Sequence, residues 1–502
     1  LRGDVQPLYA DPQLECMPLS DLVRIAEGKL VGSSVILRAA RSSLYRDRWA
    51  AAGVIPADIT SYAALRTLPY TNGRDLRLAE SQYAPEEIVC SEHVRLWIST
   101  SGTTGASKWI PRSDRDLADN RQTGKRYVYL AHGGSRPRPG QEATFGLVAP
   151  APFVTDSTAV TGSIDGMLLE IPGETIALNY TEAQDALFFA LRRRPSNFAA
   201  FPSVAMRMAE GVAELAPAAA RDRLAERRSL ENLLAVLITK VKKIRPRDLV
   251  PFRHCVFAGE PLDPYRPAIR QAYGVEPFEV YSFSEFLGVM GDCVAHDGVH
   301  LWIDYCLPEI IPQNEIEQEE GQPGYIPRAI PLWEAEAGQR GEFVVTNFAD
   351  AFPLVRYRTA DLIELVSCQP CACGRTHPRI RVLHRTDDIV NLGLVRFSIF
   401  ELQKRLSVLP GLGRWQLWIE RQDYKPKAIL KVEESDPRQD SQVWKEKVLQ
   451  EFLSLDAVKL GLDNHLIAEP EVQIVAAIEE RRTQSGKLRK VIYAADIRPG
   501  GG

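Results

Sequence analysis

Between residues 96 and 285 the chain repeats one pattern: a short apolar run rich in β-branched and aromatic residues, a small polar loop, then a helical stretch. Leu96-Trp97-Ile98 runs into Ser99–Lys108, and Gly146-Leu147-Val148-Ala149 runs into Pro150. Asn197–Phe201 precedes helices that continue through Ile238, and His254–Ala258 ends in Gly259-Glu260-Pro261. Glu279-Val280-Tyr281-Ser282-Phe283-Ser284-Glu285 is the last such strand, with a polar end. Alternating strands and helices predict an α/β fold, and such sheets bind ligands at the carboxyl ends of their strands. Three polar loops placed after strands say more than any one of them.

The first loop is the most distinctive. Its glycines, Gly102 and Gly105, let the backbone approach a ligand closely. The hydroxyls of Ser101, Thr103, Thr104 and Ser107, with Lys108 as a mobile countercharge, suit phosphate oxygens. The same residues also read as a surface turn between two strands. The spacing is not that of a Walker A loop, so any phosphate site is of another kind.

The 502 residues are 45% hydrophobic and 25% charged, which predicts an ordinary globular chain of two to four domains. A net charge of -4 gives no electrostatic footprint for nucleic acid or an anionic membrane, so neither is expected as a partner. There is no apolar run near the ~18–20 residues that span a bilayer and no signal-like N-terminus, and eight cysteines are too few for a disulfide scaffold. A cytoplasmic protein is the expectation.

Helices are expected over Leu22–Ala52, Asp114–Leu130 and Glu182–Arg194. A capping position is expected before Arg74-Asp75-Leu76. Residues 307–340, with Pro308, Pro312, Pro323 and Pro327 around an acidic run, read as an exposed connection. Gly341–Asn347 is an alternating strand. The polar run His384–Asp388 marks a domain boundary, and the remainder has an α+β pattern ending in a basic segment around Lys487.

After the glycine loop come Tyr281-Ser-Phe-Ser-Glu285, Tyr357-Arg358-Thr359-Ala360-Asp361-Leu362, Arg385-Thr386-Asp387-Asp388 and Ser485-Gly486-Lys487. This collinear series resembles the adenylate-forming superfamily of acyl-CoA synthetases, peptide-synthetase adenylation domains and luciferases. The phenylacetate–CoA ligase branch is the more specific likeness. It is carried by Gly288-Val-Met-Gly-Asp-Cys293, Gly298-Val299-His300, Pro308-Glu309-Ile310-Ile311 and Cys371-Ala-Cys373-Gly374-Arg375-Thr376-His377-Pro378-Arg379-Ile380.

The resemblance implies a large N-terminal α/β domain (1–384) with strand-end ATP and acyl sites. A hinge (385–388) turning on Asp387 would lead to a small mobile α+β lid (389–502). It implies that a carboxylic acid, an aryl acid in this branch, reacts with ATP to give acyl-AMP and pyrophosphate, after which CoA displaces AMP. The alternative acceptor is an amine, a hydroxyl or a carrier-protein thiol, as in secondary metabolism. By family position Thr100, Ser101, Gly102, Thr103, Thr104, Gly105 and Lys108 hold the ATP phosphates. Glu285 holds Mg²⁺, Ser284 lies near the α-phosphate, and Asp361 accepts the ribose hydroxyls. Arg385 touches the ribose, while Ala258, Gly259, Glu260, Pro261, Tyr281 and Ser282 flank the adenine. Lys487 reaches the carboxylate and the bridging phosphate oxygen. Phe153, Phe201, Phe283, Phe286 and Gly288 fall in the acyl pocket. Ala360 and Ser282 depart from the family, standing where glycines are usual. Members often form homodimers.

The late cysteines admit two readings. Cys293, His300, Cys371 and Cys373, with Cys368 as a substitute, can supply four ligands to a tetrahedral structural Zn²⁺, as in relatives of this branch. They can equally pack as small reduced hydrophobes.

Overall fold

A computed structural model describes residues 9–32, 34–91, 93–99, 108–131, 145–149, 174–177, 197–259, 262–283, 285–286, 288–385, 389–392, 395–409, 411–422, 425–434, 441–463, 466–479 and 490–493. The chain divides into two compact units, Leu1–Leu383 and His384–Gly502.

The first unit is built on a 13-stranded mixed sheet. Glu174–Ala177, Phe145–Ala149, Asn197–Ala200, His254–Ala258 and Pro277–Tyr281 lie side by side and parallel. Their carboxyl ends therefore share one edge. Met290–Asp292 then turns back antiparallel, and Val299–His300, Arg379–Arg385, Tyr357–Ser367, Arg340–Asn347, Cys306–Pro312 and Ile330–Pro331 extend the sheet in that order.

Residues 306–312 correct the sequence expectation. The segment read as an exposed connection begins with a strand in which every residue is buried. Its two prolines suggested a loop, but Pro308 and Pro312 are accommodated opposite Val345 and Gly341. Glu309, within that strand, is fully buried against Arg356, whose Nε and Nη2 donate to its two oxygens at 3.2 Å each. The acidic run beyond it forms the helix Gln313–Gly321. The expected Leu22–Ala52 helix is three pieces, Leu19–Gly32, Val35–Ala39 and Ser43–Ala51. The Asp114 helix runs as expected, to Ala131, whereas the helix expected at 182–194 lies outside the described residues.

The second unit packs the helices Ile399–Leu406, Ser441–Leu453 and Asp456–Asp463 with a four-stranded sheet ordered Glu471–Val475, Lys425–Glu434, Leu412–Gln422, Val491–Tyr493. Leu417, Leu402, Val432, Val448, Phe452 and Val458 are fully buried in its core.

One buried histidine makes the first unit acid-sensitive. His377 Nδ1 accepts the Ile303 N–H at 3.1 Å, so Nε2 carries the proton and donates to Leu14 O at 3.1 Å. Both nitrogens are committed to the neutral form, and burial pushes the pKa down to about 3. His254, lowered by burial and Arg253 to about 4, acts in the same direction. The unfolded imidazoles protonate near ~6.5 while the folded ones do not, so stability is full above that value and falls as pH drops. Urea denaturation is expected to show His377 alone removing about 2 kcal/mol between pH 7 and pH 5, recovered in part by His377→Gln.

Candidate active site

Two clusters of predicted residues come together in the first unit. The first gathers on Glu285, in the turn after Pro277–Tyr281. That turn is closed by the Phe286 N–H donating to Phe283 O at 3.0 Å. Arg112, at the end of the strand Trp109–Arg112, donates Nη2 to the Glu285 carbonyl at 2.7 Å. Lys108 Nζ makes an ion pair with Glu285 Oε1, and the Tyr357 hydroxyl donates to the same oxygen at 3.2 Å.

The strand Tyr357–Ser367 alternates buried and half-buried residues, so Tyr357, Thr359 and Asp361 share a face. Thr71-Asn72 pairs parallel to its start, with Thr71 opposite Tyr357. Asn72 then caps the helix Gly73–Gln82 in a reciprocal arrangement with Asp75, which is the capping position expected from sequence. The helix start arrives so close that a Cβ on Gly73 would lie 3.0 Å from Lys108 Nζ.

The second cluster is a carboxylate and a phenol. Tyr281 Oη donates to Asp361 Oδ2 at 2.7 Å, although three strands separate theirs in the sheet order. Thr359 Oγ1 accepts the Asp361 N–H at 3.0 Å and donates to Phe343 O at 2.9 Å. Between them Ala360 has φ +62°, the left-handed region, and its N–H donates to Glu342 Oε1 at 3.2 Å. Arg358 fixes Glu342 from the other side and bonds Glu319 through two nitrogens at 2.7 and 2.9 Å. Burial alone would lower its pKa, but these carboxylates raise it.

This backbone angle explains why a glycine would suit position 360. A left-handed L-residue costs roughly 1–2 kcal/mol, partly offset by the extra chain entropy that glycine loses. Ala360→Gly is expected to raise stability by about 0.5–1 kcal/mol in urea denaturation while leaving the Tyr281–Asp361 bond in place. Unchanged or lower stability would show that the local frame has relaxed around alanine.

Around the clusters, the half-buried Phe283 lies 5.2 Å from Phe286 and stacks over Tyr357 at 6.4 Å. Phe201 lies on Gly259 (φ +76°), where a Cβ would come within 2.3 Å of the ring. Ala258 and Ser282 are half-buried at the strand ends. Gly288 is closed in, since a Cβ there would meet Phe286 at 2.4 Å and Tyr305 at 2.6 Å. Phe286 itself is 1% exposed and edge-on to Tyr305.

Thr100, Ser101, Gly102, Thr103, Thr104, Gly105, Phe153, Glu260, Pro261, Ser284, Asp387 and Lys487 lie outside the described residues. Arg385 ends the strand Arg379–Arg385, and only its backbone is described. The strands Leu96–Ser99 and Trp109–Arg112 pair antiparallel, so the glycine loop joins the arms of a hairpin. Sequence reasoning missed Arg112, Tyr357 and Gly73. Tyr357 had a signal, since it opens the Tyr-Arg-Thr-Ala-Asp run and stands four residues before Asp361 on the same face.

Elsewhere in the unit, Cys293, His300, Cys371 and Cys373 are all buried, with ligand atoms within 4.8 Å of one another. Cys293 Sγ is 3.7 Å from Cys371 Sγ, and Cys373 Sγ is 3.6 Å from His300 Nε2. A tetrahedral zinc with sulfur at about 2.3 Å has sulfur–sulfur edges of about 3.8 Å, so the donor set fits. Hydrogen bonding from Cys293 holds the Cys371 and Cys373 thiols below their usual range, and burial pushes the His300 imidazole down. Cys368, the substitute, turns instead toward Leu332 O at 3.6 Å.

No protein-family model matches the chain. The phenylacetate–coenzyme A ligase of Pseudomonas putida is 28% identical over 372 residues, 73% of this chain and 71% of that protein. The protein of the same name from Escherichia coli (strain K12) is 25% identical over 402 residues, 78% and 77% of the two chains. The solved structure of 2-hydroxyisobutyryl-CoA ligase with 2-HIB-AMP, in the postadenylation state, covers 99% of this chain and 94% of its own. Its TM-score is 0.74 at 19% identity. The chain belongs to the adenylate-forming superfamily. Within that superfamily its homology to the phenylacetate–CoA ligases is distant but extends over most of the chain. The acyl acid amido synthetase GH3.15 shares the fold as well, at a TM-score of 0.65 and 15% identity over 92% of this chain.

No described helix is long and apolar enough to cross a membrane.

Proposed function

We propose that the protein activates a carboxylic acid with ATP as an acyl adenylate, releasing pyrophosphate, and then transfers the acyl group to CoA. The observation that carries this reading is the meeting of Lys108, Glu285 and Tyr357 close to the edge where the parallel strands end. Supporting it are the Tyr281–Asp361 pair and the distant ligase homologues.

In this reading Glu285 would hold Mg²⁺, which would supply positive charge against the ATP phosphates, and Lys108 would exchange Glu285 for those phosphates. Tyr357 keeps the carboxylate aimed after that exchange of cations. Asp361, buried and held by Tyr281 and Thr359, accepts the ribose hydroxyls. The catalytic work is positioning and charge stabilisation as the acid attacks the α-phosphorus. Lys487 contributes to the same step from the second unit, and Asp387 is the pivot between 1–384 and 389–502. Phe201 and Phe283 offer flat apolar surfaces, which favours an aryl acid. Cys293, His300, Cys371 and Cys373 hold a structural Zn²⁺.

The test is ATP–pyrophosphate exchange over a panel of aryl and alkyl acids, followed by product analysis with and without CoA. Exchange that needs an aryl acid and disappears in Lys487→Ala is expected, with thioester formed only when CoA is present. An amide or ester formed without CoA would overturn the acceptor, and absence of exchange with every acid would overturn the adenylation.

A further inference from the structure

The helix Leu230–Val241 packs on Pro202–Glu226 with only one side. Val236 faces inward, with Asn232, Ala235 and Thr239 half-buried beside it. The outward side carries Leu230, Leu233, Leu234, Leu237, Ile238 and Val241, which are between 44% and 86% exposed. Their spacing forms one continuous stripe along about 18 Å of helix. Scattered exposed aliphatic residues need no explanation, but six on one stripe do.

The charge around the stripe is equally uneven. From Arg227 to Arg247 the sequence has seven lysines and arginines and a single acid, Glu231, a net charge of +6. The whole chain is -4, so the rest carries -10. Arg227 and Arg228 flank the start of the helix, while Lys240, Lys242, Lys243 and Arg247 surround its end, all exposed. Asp248 engages Lys242 at 2.7 Å, and Glu214 lines the cleft beside Lys240 and Lys243. These two acids leave most of the positive charge facing outward. The chain-wide charge conceals the segment completely.

We propose that this face is a membrane-surface anchor that lies on anionic lipid. An aliphatic ridge rimmed by basic residues is the arrangement that sinks its apolar side to the acyl boundary and leaves its charges at the headgroups. Lysine stems reach upward from such a ridge without losing contact with it. A second copy fits poorly, because pairing two ridges would set +6 against +6. A protein partner fits less well also, since the stripe has none of the aromatic anchors that dominate protein interfaces.

Flotation of the intact chain with vesicles tests this directly. Vesicles of phosphatidylcholine alone are compared with vesicles containing about one third phosphatidylglycerol. Recovery with the anionic vesicles is expected to exceed that with neutral ones by about tenfold and to fall as salt is raised. Leu234→Asn with Leu237→Asn, and separately Lys240→Glu with Lys243→Glu, are each expected to cut recovery by at least about fivefold. Circular dichroism and ATP–pyrophosphate exchange serve as folding controls, because no substituted residue belongs to the active site. Equal recovery on both vesicle types, no recovery, or recovery unaffected by either variant would overturn the proposal. So would a dimer in ultracentrifugation that the leucine variants break, or capture by an acidic carrier protein, when vesicles are not bound.

Discussion

Glu285→Gln is expected to lower acid-dependent ATP–pyrophosphate exchange by about 100-fold or more, the scale seen when one preorganised charge-stabilising group is removed. Glutamine keeps the size of the side chain and an oxygen for the Tyr357 hydroxyl, so the turn closed by Phe283 and Phe286 should survive. What it removes is the negative charge that Lys108 neutralises. Two consequences separate this from simple misfolding. The remaining exchange should require more Mg²⁺ than the parent enzyme, and Tyr357→Phe should shift the Mg²⁺ requirement in the same direction with a smaller loss of rate. Exchange within about threefold of the parent would remove Glu285 from the reaction and, with it, the proposed exchange of cations.

Cys373→Ser is expected to abolish stoichiometric zinc in the purified protein and to lower stability by several kcal/mol, because metal binding free energy becomes folding free energy. The cluster ties the segments around Cys293 and His300 to the turn at Cys371–Cys373. That turn is itself closed by Cys371 N–H to Arg375 O and Gly374 N–H to Cys371 O, both 2.8 Å. Metal analysis and thermal denaturation are the measurements, and Cys368→Ser is the control, since Cys368 faces Leu332 instead. Zinc absent from the parent protein, or an unchanged melting temperature in Cys373→Ser, would return the cluster to ordinary core.

Much of the architecture was legible because periodicity and burial agreed. His254–Ala258 is an apolar run that became a strand with alternating burial, and the Asn72–Asp75 cap announced the helix after it. Of the four metal candidates Cys371 and Cys373 form a local pair, whereas Cys293 and His300 lie far back in the chain and no local pattern ties them to it. The illegible parts have physical causes. Pro308 and Pro312 look like breakers until the sheet supplies neighbours that tolerate them, and nothing local to Glu309 announces that Arg356 is folded over it. Arg112 carries no motif at all, since its role is a bond to a backbone carbonyl 173 positions away. Tyr357 was within the quoted motif but overshadowed by Asp361. Its position emerged only once the face it shares with that residue was known.

The cysteine turn also has a bearing on how the chain is made. Glu15 closes on Arg375 through a 2.6 Å bond, across 360 positions, and Tyr9 donates to Cys373 O at 3.1 Å. Leu14 O and Met17 O are bound by His377 and Thr376. At about 5–20 residues per second, a ribosome would take roughly 20–70 s after making the first partners to deliver the second. Through that interval Leu14, Glu15 and Met17 await a turn not yet synthesised, which makes the early segment a natural client for chaperones during translation.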